Sequence, residues 1–226
     1  MHKQTWIKIF TFLLFPFLIL TEAQAQKSAT QNDPDAKKVL DAVSNNFKKY
    51  KSVKADFVFK NEDAKGKVLG VKKGNLFMKG NKYRIKLAGG QDIFCNGVNI
   101  WTYDESANEV TIAKFDPNQN SITPQKLFTN FYDKDFLYRL NADRKEAGKQ
   151  LYEIELTPFD KSKSFFKVYL WVDKTAKSIY STKILEKSGV HYVYTLSSLN
   201  GNANVGDEVF VFDPKKYPGV ELVDLR

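Results

Sequence analysis

The sequence predicts an α+β protein: a strongly curved antiparallel sheet, an open half-barrel of about ten to eleven strands, covered by an N-terminal helix and a short helical lid. Three observations predict it. Apolar residues recur at helical spacing once, between Pro34 and Tyr50. After Tyr50 the apolar period becomes two and stays so almost to the end. The breaks between these runs are short and carry turn chemistry, as in Lys79-Gly80-Asn81, Gly89-Gly90 and Asn96-Gly97, so successive strands are antiparallel neighbours. A meander this long with so few helices has to curl.

The first residues have the pattern of a secretory leader. His2, Lys3 and Lys8 precede the apolar run Ile9–Leu20, and Ala23-Gln24-Ala25 has the small-x-small form of a cleavage site. The run is short for a bilayer span, which takes about 20 residues. No cysteine follows it to accept a lipid. The expectation is a signal peptide over 1–25, cleaved near Ala25, and a single exported domain over 26–226. The formal net charge is +9, and losing Lys3, Lys8 and Glu22 leaves 9 − 2 + 1 = +8. Such a surface suits anionic lipid or an acidic partner. The lysines are scattered singly, and an exported protein rarely meets nucleic acid, so no nucleic-acid partner is expected.

Asp33 is placed to cap a helix that Pro34 opens, with Val39, Leu40, Val43, Phe47 and Tyr50 on one face. Val53, Ala55, Phe57 and Phe59 then alternate with charged residues as a first strand. Further strands follow at Gly66–Met78, Lys82–Leu87, Gln91–Cys95, Val98–Tyr103 and Glu109–Phe115. Residues 117–141 break the pattern. Pro124 starts a short helix, the lid, with Leu127, Phe128 and Phe131 on one face, and Asp135–Leu140 reads as a second short helix or turn. Strands resume at Leu151–Leu156, Phe165–Val172, Ser178–Glu186, Val190–Leu199 and Glu208–Val211.

Several strands are apolar on both sides of the pleat, as at Ile93-Phe94, Ile100-Trp101 and Phe165-Phe166. A sheet with two apolar faces needs two covers. One helix and a small insertion are scant cover. For any single aromatic, a place in the core is the simpler reading, but collectively they imply an unfilled concave face. Such a face suits an acyl chain, since apolar burial is worth about 25 cal/mol per Å². The expected lining is Phe57, Phe59, Leu76, Met78, Tyr83, Ile85, Phe94, Trp101, Tyr103, Leu127, Phe128 and Phe131. Lys79, Lys82 and Arg84 flank the adjoining turn as a basic rim.

Catalytic arrangements are scarce. Beyond the leader the chain has one histidine, His191, and one cysteine, Cys95, far apart and each within a strand pattern. There is no G-x-S-x-G, H-E-x-x-H or phosphate-binding glycine loop. No enzymatic activity and no cofactor are expected.

Residues 46–115 and 150–226 resemble the LolA family of periplasmic lipoprotein carriers. The resemblance rests on Val53-Lys54-Ala55-Asp56-Phe57, Gly74-Asn75-Leu76-Phe77-Met78-Lys79, Lys82-Tyr83-Arg84-Ile85 and the hairpin Asn96–Asp104, where Asn96 stands in place of the family's acid. Leu156-Thr157-Pro158 before Phe166–Asp173, and Phe210-Val211-Phe212 before Pro218–Asp224, continue the family's order. The resemblance implies a half-open barrel with a lid and a hydrophobic cavity. It also implies a monomeric carrier of acylated lipoproteins from the inner to the outer membrane, loaded by an inner-membrane ABC-type transporter, with the outer-membrane acceptor left open. A lipid- or lipoprotein-sensing domain of the same fold is the alternative. Lys79 matches the basic residue that holds the lid in proteobacterial members, with Lys in place of Arg. An arginine's planar bidentate contact is not open to it.

Overall fold

The computed structural model describes residues 31–116 and 132–226. Helix α1 spans Pro34–Phe47. Asp33 caps it by accepting the Asp35 amide at 2.9 Å, and Pro34 supplies a helical φ at the first position. Ala36, Leu40 and Val43 are buried along one face. Strands β1 (Val53–Glu62), β2 (Val68–Lys79), β3 (Lys82–Leu87), β4 (Gln91–Cys95), β5 (Asn99–Asp104) and β6 (Glu109–Lys114) form a first meander. After the one-turn helix α2 (Tyr132–Asp135) come β7 (Phe136–Leu140), β8 (Arg144–Glu146), β9 (Lys149–Pro158), β10 (Phe165–Asp173), β11 (Ser178–Glu186) and β12 (His191–Gly201). Two 3-10 turns, Asp207–Phe210 and Pro214–Lys216, lead to β13 (Glu221–Asp224).

All thirteen strands belong to one sheet, ordered β13-β6-β5-β4-β3-β2-β1-β12-β11-β10-β9-β7, with β8 also on β9. The two meanders meet where β1 pairs with β12, from Val53 opposite Gly201 to Glu62 opposite His191. The edges, β13 and β7, do not pair with each other among the described residues, so the sheet is open rather than a closed barrel. Register shifts at Asp56/Phe57, Asn61/Glu62, Phe165/Lys167 and Trp171/Val172 mark where strands bend. One core cluster holds α1 residues together with Ala55, Met78, Cys95, Tyr138, Leu156, Leu170 and Ile184. Strands so far apart share a cluster only because the sheet curves around it.

The structure corrects the expected elements in five places. Residues 136–140 are strand, since Phe136, Tyr138 and Leu140 alternate and pair with β9, and only Tyr132–Asp135 is helical. Glu208–Val211, expected as a strand, lies in a 3-10 turn over Asp207–Phe210. Strands β8 and β13 were not expected. β13 also pairs parallel to β6, against the all-antiparallel expectation. Val98 belongs to the turn rather than to β5, because the Asn96 side chain accepts the amides of Val98 and Asn99 at 2.9 and 2.8 Å.

Gly74 is where the Phe57 ring crosses β2. A Cβ there would stand 2.4 Å from Phe57 Cζ and 2.9 Å from the Lys86 carbonyl. Gly74→Ala therefore overpacks the core and should cost about 2 kcal/mol, a fall of several degrees in Tm. Phe57→Ala combined with Gly74→Ala should cost less than the sum of the two single changes, measured by thermal unfolding of all three variants.

Candidate functional site

Pairing register assigns every strand residue to a face. Leu76 lies opposite Ala55 and Ile85, Tyr83 opposite Met78 and Cys95, and Ile93 opposite Ile85, so all of these share the inner face with Phe57 and Phe59. Across the seam, Leu196 lies opposite Phe57, Tyr194 opposite Phe59, and Tyr192 opposite Asn61. Phe57 and Tyr194 have ring centroids 6.0 Å apart, and Phe59 stands 5.2 Å from Tyr194 and 5.8 Å from Tyr192. Such pairs add to area burial and hold one another's rotamers.

Helix α1 packs chiefly on β7 and β11. On that side Phe136, Tyr138, Ile154, Leu156 and Leu170 are almost wholly buried. On the other side Phe59, Ile85, Leu87, Ile93, Ile100, Tyr192, Tyr194 and Leu196 are only partly buried. This row is the candidate site: an apolar surface on the inner face of β1, β3, β4, β5 and β12, with β2 running between β1 and β3 and placing Lys72 opposite Phe59. The alternation keeps Lys54, Lys60, Arg84 and Lys86 off it, and burial pushes the Tyr194 hydroxyl up to about 12 and raises Tyr83, so both rings stay neutral. Burial likewise raises the Cys95 thiol, which is fully enclosed in the core. A surface of this kind offers apolar area and little else. Among the described residues no group of His, Cys, Asp or Glu could hold a metal.

Of the lining expected from sequence, Phe57, Phe59, Leu76, Met78, Tyr83 and Ile85 share the inner face. Phe94, Trp101 and Tyr103 do not. Phe94 pairs with Trp101 while Cys95 pairs with Ile100, which turns these aromatics outward. They pack in a second cluster with Val110, Phe212, Tyr217 and Val220. Tyr103 and Tyr217 have ring centroids 4.5 Å apart, as do Phe212 and Tyr217. The second apolar face thus has its own cover, the chain's C-terminal segment. Leu127, Phe128, Phe131 and the expected lid lie outside the described residues. Tyr192, Tyr194 and Leu196 were missed. Their alternation was visible within Val190–Leu199, but which face it served was set by pairing with β1 far away in sequence.

The basic rim also points outward, and its charges are paired within the chain. Lys79 and Lys82 both bind Asp207, at 2.9 and 2.8 Å. Arg84 makes two contacts with the buried Asp92, Nε at 2.9 Å and Nη2 at 2.7 Å, and its guanidinium lies 4.3 Å from the Phe94 ring centre. Lys79 and Lys82 thereby brace the C-terminal segment, and Arg84 ties β3 to β4.

A third arrangement fastens α2 to α1. Tyr132 donates to Asp41 at 2.7 Å, Tyr138 donates to Asp133 at 3.0 Å, and Lys37 contacts both carboxylates at 3.1 Å. Burial pushes the Asp41 carboxyl up, but hydrogen bonds from Tyr132 and Lys37 outweigh it, so the group sits below the ordinary carboxylate range.

The family model of the outer membrane lipoprotein carrier protein LolA matches residues 48–213. The chain belongs to the LolA family. In this LolA-family chain the match opens just after α1 and closes at Asp213, so α1 and β13 lie outside it. Among solved structures, an uncharacterized conserved protein from Thermus thermophilus is similar at 11% identity and a TM-score of 0.57, over 84% of this chain and 99% of that one. The Mycobacterium tuberculosis lipoprotein LppX is similar at 13% identity and a TM-score of 0.50, over 77% and 100%. A LolA superfamily protein from Nitrosomonas europaea is 17% identical over 79% and 98%, with a TM-score of 0.42. No curated protein matches the chain. At these identities the first two speak to the fold alone.

Two measurements check the electrostatic ties. Arg84→Met leaves Asp92 buried without its partner and should destabilise by about 3 kcal/mol in chemical denaturation. Asp41, held below its unfolded value, stabilises the fold above the unfolded pKa, and that contribution is lost as pH falls through the folded one. The Tm difference between the native chain and Asp41→Asn should therefore be largest near neutrality and shrink as pH drops below about 4.

Proposed function

We propose that this LolA-family chain is a periplasmic carrier that shields the acyl chains of lipoproteins on its inner face and ferries them from the inner to the outer membrane. The observation that carries the reading is the partly buried apolar row on the half of the sheet that α1 leaves open. An acyl chain laid along Phe59, Ile85, Ile93 and Tyr194 leaves water at a gain of about 0.8 kcal/mol per CH₂. The same arithmetic makes release into water costly, so cargo passes groove to groove. In this reading an inner-membrane ABC-type transporter supplies the cargo. Lys79 and Lys82 serve internally, as braces through Asp207, rather than as free docking charges.

The test is binding of a fluorescent fatty-acyl probe. Ile85→Glu puts a carboxylate on the open apolar row and should weaken the probe about tenfold or more, by the cost of burying a charge, while circular dichroism stays native. Binding equal to that of the unaltered protein would remove Ile85 from the site. Mass spectrometry of lipids extracted from protein purified from the periplasm should find acylated species. A lipid-free protein that also refuses the probe would sink the carrier reading.

A further inference from the structure

The end of the sheet away from Asp207 has a different character. Three turns lie side by side there: 63–67 between β1 and β2, 159–164 between β9 and β10, and 187–190 between β11 and β12. The Lys187 amide donates to the Ser164 carbonyl at 2.8 Å, and Lys187 Nζ reaches the Lys161 carbonyl. A Cβ built on Gly189 would stand 3.8 Å from Ala64 Cβ. The turns thus form one continuous end, about 24 Å across at the usual spacing between strands.

Large apolar side chains project from it. Phe159 is 54% exposed, Phe166 45%, Val68 46% and Leu69 55%. These are four of the nine large hydrophobic residues exposed among the described residues, gathered at one end rather than scattered. Lysines interleave with them. Lys65, Lys67, Lys161 and Lys187 form no ion pair among the described residues, and Lys163 lies on the same turn as Lys161. The acids nearby are Asp63, Asp160 and Glu186. Asp63 accepts the amides of Lys65 and Lys67, and Asp160 accepts the amide and hydroxyl of Ser162, so both are engaged in shaping their own turns.

We infer that this end docks on the surface of a bilayer containing anionic lipid. Five lysines face three acids, which sets the sign of the surface. Phe159 and Phe166 flank one turn, and Val68 and Leu69 begin β2 beyond three intervening strands, so the apolar points form two separate pairs. A protein partner needs a continuous complementary surface, whereas a bilayer interface accepts such points one at a time. Lysine stems lie along the apolar boundary while their ammonium groups meet lipid phosphates. The inference goes beyond the carrier reading, because docking of this kind needs no cargo.

The test is co-sedimentation of the purified protein with vesicles, without cargo. The protein should pellet with mixed phosphatidylcholine and phosphatidylglycerol vesicles, not with phosphatidylcholine alone, and salt should release it. The triple change Lys65→Glu, Lys67→Glu and Lys161→Glu should weaken pelleting about tenfold or more. The double change Phe159→Ser and Phe166→Ser should weaken it severalfold with every charge kept. Both variants should bind the fatty-acyl probe as the unaltered protein does, which separates this inference from the carrier reading. Equal pelleting with both vesicle types, none with either, or full pelleting by both variants would overturn it. So would capture on immobilised polyglutamate, undiminished in the phenylalanine variant, by a protein that no vesicle retains, for the occupant would then be an acidic protein surface.

Discussion

Everything in this molecule depends on the seam between β1 and β12. Each half of the chain makes its own meander, and only this pairing makes them one sheet. The seam also assembles the site. Phe57 and Phe59 come from its first strand, and Tyr192, Tyr194 and Leu196 from its last. The register shift at Asp56/Phe57 marks a bend at the seam, where aromatics from both strands meet on the inner face.

A second constraint follows from strands that are apolar on both faces. The inner face takes α1 on one half and remains partly open on the other. The outer face cannot be left bare, and Phe210, Phe212, Tyr217 and Val220 are supplied from the C-terminal segment to close it. The shared grip of Lys79 and Lys82 on Asp207 holds that segment in place, while Arg84–Asp92 ties β3 to β4. Cover by the chain's own tail on one side, and incomplete cover on the other, is what separates the outer face from the candidate site here.

Much of this was legible in the residues. Asp33-Pro34 marks the helix start, Asn96-Gly97 marks its hairpin, and period-two alternation finds most strands within a residue or two of their ends. Phe57, Leu76, Tyr83 and Ile85 share a face because neighbouring strands joined by short turns have nearly forced registers. What was not legible is long-range. Phe94 and Ile93 are equally apolar, and only the packing of Phe212, more than a hundred positions later, decides that Phe94 looks outward. Strand β13 is four residues long and pairs parallel to β6, so no turn announces it. Lys79, Lys82 and Arg84 read as a free basic rim because their acids, Asp207 and Asp92, become partners only through the fold.

The position of β12 has a consequence for how the chain comes to be folded. Strand β1 ends at Glu62, and the strand that completes it does not begin until His191. During synthesis from the N-terminus the central strand of the finished sheet is therefore an open edge until most of the chain exists, and the outer aromatic face stays bare longer still, until Phe212 and Tyr217 have emerged. Contacts this distant in sequence make folding slow, since the loop must close before it is rewarded. Until then one edge of β1 and the outer aromatic face stay uncovered, a form in which the chain needs an escort.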